Sequence, residues 1–238
     1  MPRLSFRLAA FVVVTLMGWI VLTEAGFLAI GRPAHLRYSV RGLDVSHHQA
    51  EIDWAAVGQE NLDFVFIKAT EGADWVDTRF EENWDGAQRA GLARGAYHFF
   101  RFCGSGVEQA EHFLATVPNE PNLLPPAVDV EYTGNCGRNR SAEDIREELA
   151  LFLDTVRNAL GVRPVIYADS DAYRRIIAGH FPRHPLWIPE LSDEPRLAGG
   201  RRWTFWQHDH RGEIEGIRGH ADLNVFSGSR QTFRRLVF

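Results

Sequence analysis

The sequence predicts an α/β protein that folds as a modified TIM-like (β/α)5(β)3 barrel, with five strand–helix units followed by three strands. Short apolar runs alternate with amphipathic helical segments from residue 40 to residue 178, and this alternation predicts a parallel sheet. Three strand-like runs follow with little helix between them. Eight strands in about 200 residues fit a closed barrel. An open doubly wound sheet is the main alternative, although no glycine-rich phosphate loop follows the first strand.

Each predicted strand is a short apolar run bounded by polar or turn-forming residues. The strands cover residues 40–46, 64–69, 95–100, 124–132, 164–168, 186–191 and 203–207, and residues 213–217 and 221–226 form a hairpin or two short strands. Helices are predicted at residues 52–57, 80–91, 107–117, 141–160 and 172–178. The fourth helix has the clearest pattern, because Ser141 and Asp144 resemble a capping box and Gly161 supplies a stop.

The first 31 residues differ in composition from this domain. Arg3 and Arg7 precede an uncharged apolar run from Leu8 to Leu22, and residues 25–30 are apolar again. This pattern is typical of a secretory signal peptide or of an uncleaved signal-anchor helix through residues 8–30. Either interpretation exports the rest of the chain to the periplasm or the extracellular space. We expect residues 32–39 to be a linker and residues 40–238 to be the barrel domain.

The net charge argues against nucleic-acid binding, and the two cysteines are consistent with an exported protein. The formal net charge is −5, so the chain lacks the basic footprint of a protein that binds nucleic acid. Its two cysteines, Cys103 and Cys136, each follow a predicted strand, and disulfides persist in exported proteins. We therefore expect a Cys103–Cys136 disulfide, with two free thiols as the alternative. We also expect a monomer without a cofactor.

The pair Asp129 and Glu131 is the first candidate site. These residues end an apolar run that follows Pro125 and Pro126. Side chains alternate along a strand, so both carboxylates point to one face, with attachment points about 6–7 Å apart. Two like charges at the end of a buried strand repel and are partly desolvated. A functional role and an ordinary role in capping or ion pairing both remain open for the pair alone.

Other acidic and aromatic residues are predicted to join this pair. Asp44 ends the first strand and Asp222 lies in the last. Strand ends converge at one pocket in a β/α barrel, so four carboxylates would face a common cleft. Near other strand ends, side chains suited to sugar rings complete the predicted rim: Tyr97, His98, Tyr132, Tyr167, Trp187, Trp206 and Gln207.

Crowded carboxylates suit the cleavage of a glycosidic bond. That reaction needs one acid to protonate the leaving oxygen and one negative group to stabilise an oxocarbenium-like centre. Glu131 has the longer reach and is our candidate general acid, with Asp129 as its ionised partner. The histidine pairs His47–His48 and His208–His210 lack a familiar ligand spacing, so no metal site is expected.

Short motifs occur in a fixed order along the domain: DVSHHQ at 44–49, IDW at 52–54, FVFIKATEG at 64–72, GAYHF at 95–99, DVE at 129–131, WQ at 206–207 and DLNVF at 222–226. Together they resemble the family 25 glycoside hydrolases, which are lysozymes of the N-acetylmuramidase type. The resemblance implies cleavage of the β-1,4 bond between N-acetylmuramic acid and N-acetylglucosamine in peptidoglycan glycan strands. It also implies retention of configuration, with Asp129 acting either directly on the sugar carbon or through the substrate's acetamido group, which can replace an enzyme nucleophile.

The resemblance places the acidic site positions on Asp44, Asp129, Glu131 and Asp222, with Glu131 as general acid. It places further positions near the groove on Lys68, Glu71, Tyr97, Tyr167 and Trp206, beside Gln207. The segments around the two cysteines do not belong to the shared motifs, and no wall-binding module is visible. A non-catalytic glycan-binding barrel and a chitinase-like amidosugar hydrolase are the alternatives.

Overall fold

The computed structural model describes residues 34–137 and 139–238, so the predicted targeting segment lies outside the described residues. Tyr38–Phe238 form one compact unit. Before it, Ala34–Arg37 form a short helix, α1, within the predicted linker. None of the helices in the described ranges has the length and apolar character required to cross a bilayer.

Eight strands close into a barrel, which confirms the predicted fold class. The barrel strands are β1 Arg41–Val45, β2 Phe64–Glu71, β4 Ala93–Phe99, β5 Ala127–Val130, β6 Val165–Ala168, β7 Leu186–Pro189, β8 Phe205–Gly212 and β9 Ala221–Phe226, and the short β3 Trp75–Val76 lies outside the ring. Their order is β1-β9-β8-β7-β6-β5-β4-β2, and pairing of β1 with β2 closes the ring. Neighbouring strands of the barrel are parallel except that β9 is antiparallel to β8 and β1.

Helices follow the first five barrel strands. They are α2 Trp54–Val57, α3 Phe80–Arg89, α4 Gly106–Thr116, α5 Ala142–Leu160, α6 Ser170–Ala172 with a π-helical turn at Tyr173–Ile177, and, after the last strand, α7 Arg230–Arg234. The capping box of α5 is confirmed, because Ser141 Oγ accepts from the Asp144 amide at 3.0 Å and Asp144 Oδ2 accepts from the Ser141 amide at 3.3 Å. Gly161 ends α5 in the left-handed region.

Two predicted details differ from the structure. Residues 213–217 form a turn and not a strand, because Gly216 has a φ of 94° and its carbonyl accepts from the Asp53 amide at 2.9 Å. This contact holds the tip of the β8–β9 hairpin against the loop before α2. The short β3 was not predicted; it pairs with the end of β2 through Thr70 and Glu71.

The lower half of the barrel is filled by aromatic side chains. Phe64, Phe66 and Phe205 are fully buried, and Phe66 stacks on Trp187 with ring centroids 4.6 Å apart. Burial of each such side chain contributes roughly 1.5–3 kcal/mol. Gly42 gives these rings room, because a Cβ there would lie 2.5 Å from the Phe64 ring. The aromatic floor leaves only the upper end of the barrel for a polar site.

Candidate active site

Four carboxylates meet at the open end of the barrel, where the parallel strands finish. Asp44 lies near the end of β1, Asp129 lies on β5, and Glu131 follows β5 directly. Because β9 is antiparallel, Asp222 near its start reaches the same end, opposite Asp44 in the ladder. Charge repulsion from Asp222 and Glu131 acts on Asp44, which places the acids within electrostatic reach of one another.

Side-chain amides fix the position of Asp44. Its Oδ2 accepts hydrogen bonds from Asn224 Nδ2 at 2.7 Å and from Gln207 Nε2 at 2.9 Å. Tyr167 donates to Gln207 Oε1 at 3.2 Å, and Trp187 donates to Asn224 Oδ1 at 2.7 Å. These contacts assign the orientation of both amides. Asn224 was missed as a site residue, although its position two residues after Asp222 placed it on the same strand face.

Burial and repulsion raise the pKa of Asp44 and of Asp222. Burial raises the pKa of Asp44 well above its usual value, and the negative charge of Asp222 adds to the increase, while the amide hydrogen bonds oppose it. Burial also raises the pKa of Asp222, and His210 opposes that shift. The two groups therefore hold protons more tightly than exposed aspartates do.

Asp129 presents an oxygen that no described residue satisfies. Its Oδ1 is buried and lacks a hydrogen-bond partner among residues 34–137 and 139–238. Burial and then the charge of Glu131 raise the pKa of Asp129 well above its usual value, and Lys68 opposes the shift. A buried, unpaired carboxylate oxygen is costly, and a substrate N–H or O–H donor would satisfy it.

Glu131 has the electrostatics of a group that exchanges protons near neutral pH. Burial raises its pKa to about 7, with repulsion from Asp169 as the next cause and Lys68 opposing both. A carboxyl group with such a pKa can both donate and accept a proton near neutral pH. When Glu131 holds its proton, its charge no longer repels Asp129, so the pair can exist as one acid and one carboxylate.

Lys68 acts electrostatically on Asp129 and Glu131, and Glu71 holds its ammonium group. Lys68 Nζ donates to Glu71 Oε2 at 2.9 Å and lies over the rings of Trp75 and Phe99 at 5.1 and 4.9 Å. Arg101 Nη1 donates to Glu71 Oε1 at 3.1 Å. Because Lys68 is only 8% exposed, its charge acts on Asp129 and Glu131 with little screening by water.

Tyr97 and Tyr167 point into the barrel at the level of the acids. Both rings pack edge-on against Trp187, with centroids 6.2 and 4.8 Å away. Burial and the surrounding carboxylates raise the pKa of both hydroxyls, so the two phenols stay neutral. The neutral Tyr97 hydroxyl can donate a hydrogen bond to a sugar without adding charge, whereas Tyr167, whose proton is donated to Gln207, can accept one.

Trp206 lies on the opposite side of its strand from the site. Phe205 and Gln207 point inwards, so the alternation of β8 turns the Trp206 ring outwards. There it packs against Tyr38 at 6.1 Å, and its Nε1 donates to the carbonyl of Glu190 at 2.6 Å. Gln207 therefore lies beside Asp44, whereas the Trp206 side chain is not brought to the acids.

His98 also faces away from the groove and corrects the predicted rim. It is fully buried and stacks on Phe152 of α5 at 4.9 Å. Gln109 Nε2 donates to the carbonyl of Arg101, so Gln109 Oε1 accepts from His98 Nε2 at 3.1 Å. His98 Nδ1 then accepts from the Thr70 hydroxyl at 2.8 Å. Burial lowers the pKa of His98 to about 3, so it stays neutral.

The other histidines do not form a metal centre. His47 Nδ1 lies 2.7 Å from Asp77 Oδ2, and its ring packs against His48 at 4.1 Å. Across residues 34–137 and 139–238, no cluster of three or more histidine, cysteine or acidic side chains is arranged to hold a metal ion.

The predicted disulfide between Cys103 and Cys136 is confirmed, with Cα atoms 5.7 Å apart. It joins the loop after β4 to the loop after β5. The second of these loops begins at Glu131, so the bridge lies beside the site. The ring of Tyr132 packs edge-on against Phe102 at 5.0 Å in the same region.

Comparison with known proteins identifies the family. Residues 43–217 match the family model described as glycosyl hydrolases family 25. The chain belongs to this family. It is 37% identical over 205 residues to YegX of Escherichia coli (strain K12), covering 84% of this chain and 74% of that protein. It is 32% identical over 201 residues to lysozyme M1 of Streptomyces globisporus, covering 80% and 68% of the two chains.

A solved structure supports the same assignment. The family 25 glycosyl hydrolase of Bacillus anthracis superposes with a TM-score of 0.82 and 36% identity, covering 87% of this chain and 97% of that chain. As a family 25 member, this protein is a glycoside hydrolase.

Proposed function

We propose that this protein is an exported lysozyme that hydrolyses the β-1,4 bond between N-acetylmuramic acid and N-acetylglucosamine in peptidoglycan. The observation that carries the proposal is the Glu131 carboxyl, whose pKa of about 7 suits a group that must hold and then release a proton. Relatives named lysozyme M1 and autolytic lysozyme support the choice of substrate. The disulfide supports an oxidising compartment.

Glu131 and Asp129 divide the chemistry in this proposal. Protonated Glu131 donates its proton to the glycosidic oxygen as the bond to the leaving sugar breaks. Ionised Asp129 faces the developing positive charge, and its unpaired Oδ1 can accept the N–H of the substrate's acetamido group. That contact would orient the acetamido oxygen to attack the anomeric carbon. Glu131, now a carboxylate, then removes a proton from the water that completes hydrolysis.

The remaining residues hold the acids and the sugar. Asp44 and Asp222 add negative potential around the oxocarbenium-like centre, and Gln207 fixes Asp44. Tyr97 and Tyr167 offer neutral hydroxyls to the glycan. Lys68, held by Glu71, limits the rise in the pKa of both Asp129 and Glu131.

Mass spectrometry of digested peptidoglycan tests the proposal. The wild-type protein should release fragments with N-acetylmuramic acid at the new reducing end. Glu131→Gln should lower the rate by about 10²- to 10⁴-fold, the contribution expected of a general acid. Glu147→Gln on the exposed face of α5 is the matched control and should be fully active. Binding without turnover would indicate a glycan-binding barrel, and cleavage of chitin oligomers alone would indicate a chitinase-like enzyme.

Cell fractionation tests export. The full chain should be found outside the cytoplasm, and deletion of residues 1–31 should retain it inside. Membrane-bound protein of full mass would indicate that residues 8–30 act as an uncleaved anchor. Soluble protein of reduced mass would indicate cleavage.

A further inference from the structure

The side chain of Asn135 joins the backbones of the two loops beside Glu131. Its Nδ2 donates to the carbonyls of Phe100 at 2.8 Å and Glu131 at 2.9 Å. Its Oδ1 accepts from the amides of Phe102 and Cys136, both at 2.9 Å. All four hydrogen-bonding positions of this amide are therefore used.

These contacts lie where the β4–β5 ladder stops. The last paired residues are Phe99 and Asp129, and the Phe100 amide donates to the Asp129 carbonyl at 2.9 Å. Beyond this point β4 and β5 are no longer paired, and each continues into a loop. The Asn135 amide occupies the gap and satisfies the carbonyls of Phe100 and Glu131, which would otherwise need water or another strand. Glu131 thus leaves its strand with a fixed backbone carbonyl.

The disulfide holds Asn135 in place. Cys136 follows it directly and is bonded to Cys103 in the opposite loop. The Cys103 amide donates to Cys136 Sγ at 3.3 Å. Arg101 Nη1 reaches across the same two loops and donates to the carbonyl of Gly134 at 2.9 Å. Covalent and hydrogen-bonded contacts therefore surround the residue that anchors Glu131.

We propose that Asn135, locked by the Cys103–Cys136 disulfide, is a positioning residue that fixes the backbone of Glu131 and thereby the orientation of its carboxyl group toward Asp129. The inference rests on the proposed role of Glu131. Asn135 touches no reacting atom; it acts through the main chain of the residue that does. Neither the family motifs nor the strand pattern includes this position.

NMR titration of the Glu131 side-chain carboxyl in 13C-labelled protein tests the proposal without substrate. In Asn135→Ala the freed loop admits water to the carboxyl group. We expect the pKa of Glu131 to fall by about one unit, toward its ordinary value. Asn158→Ala, a matched change at an exposed position of α5, should leave the titration unchanged. A wild-type titration in folded Asn135→Ala would overturn the proposal.

Kinetics on peptidoglycan provides the second measurement. We expect Asn135→Ala to lower kcat by about 10- to 100-fold, the range caused by slight misplacement of a catalytic group, with KM within about threefold of wild type. The alkaline limb of the pH–rate profile should move to lower pH. A loss of stability that leaves the protein folded under the assay conditions would change neither kcat nor the position of the alkaline limb. If wild-type protein shows no turnover, the proposed function fails while the NMR titration still decides the role of Asn135.

Two further variants cover the remaining outcomes. Asn135→Asp keeps the acceptor contacts but loses both donors, and it carries the same tests if the alanine variant does not fold. The double variant Cys103→Ser with Cys136→Ser should shift the Glu131 titration in the same direction as Asn135→Ala, by a smaller amount. An unchanged titration in that variant would overturn the locking role of the disulfide.

Discussion

Asp44 and Asp222 lie directly opposite one another in the antiparallel ladder between β1 and β9. Like charges in directly opposed positions destabilise a sheet, and burial adds to the cost at Asp44. Asn224, two residues from Asp222, compensates in part by donating to Asp44. The barrel is therefore closed at its upper end by a contact that lowers stability when both groups are charged.

Removing one charge of this pair should stabilise the protein at high pH. A carboxyl group whose folded-state pKa is raised contributes stability below its unfolded pKa, and this contribution is lost as the pH rises through the folded pKa. Asp222→Asn should therefore raise the free energy of unfolding by about 0.2–1 kcal/mol at pH 8 and by less at pH 4. Urea denaturation at both pH values measures this. Asp85→Asn, at an exposed position of α3, is the control, and an equal effect in both variants would contradict the interpretation.

The rate of glycan cleavage should fall on the alkaline side of neutrality. The general acid must be protonated, so kcat/KM should decrease about tenfold per pH unit above the pKa of Glu131, which is about 7. Steady-state kinetics between pH 4 and 9 measures the profile. The residual activity of Glu131→Gln should lack this limb. A limb that persists unchanged in Glu131→Gln would show that Glu131 is not the titrating group.

Loss of the Asn224 amide should destabilise the upper barrel. In Asn224→Ala, Asp44 loses a donor and the buried Trp187 Nε1 loses its acceptor. Leaving buried polar groups unpaired costs about 1–3 kcal/mol each. Urea denaturation measures the loss, and Asn158→Ala serves as the exposed control. Equal stability of the two variants would mean that water replaces the missing amide.

His98 should make the free energy of unfolding decrease as the pH falls below about 6.5. Its pKa is lowered to about 3 in the folded protein, so the unfolded chain binds the proton first as the pH falls. The stability that neutral His98 contributes is complete above about pH 6.5 and is lost below it, by about 1.4 kcal/mol per pH unit. The pH dependence of unfolding in His98→Gln should lack this component. His220→Gln, at an exposed position, should retain it; identical curves for both variants would contradict the prediction.

Much of the fold follows from patterns along the chain. Apolar runs locate the barrel strands because those strands are buried on both faces, and Ser141 and Gly161 mark the ends of α5 through local chemistry. The turn at 213–217 was not predicted, because its conformation depends on a distant contact between Gly216 and Asp53. Local residue preferences carry no information about such a contact.

For the candidate site, the sequence predicted the positions of the acids but not the orientation of every neighbouring side chain. Asp44, Asp129 and Glu131 could be placed because each ends a strand, and strand ends converge in a barrel. Trp206 and Gln207 could not be separated, because adjacent residues exchange faces with a shift of one position in register. The hydrogen bonds of Asn135 depend on where two loops meet, which the sequence of neither loop specifies.

The antiparallel pairing of β1 and β9 also sets how the barrel would respond to mechanical force. The start of β1 and the end of β9 lie side by side at the lower end, where Arg41 pairs with Val225. Tension applied to these two ends would therefore peel the ladder apart one hydrogen bond at a time, and would not shear all of its bonds together. A ladder whose hydrogen bonds break one after another separates at low force. The pair Asp44 and Asp222 would be the last to separate.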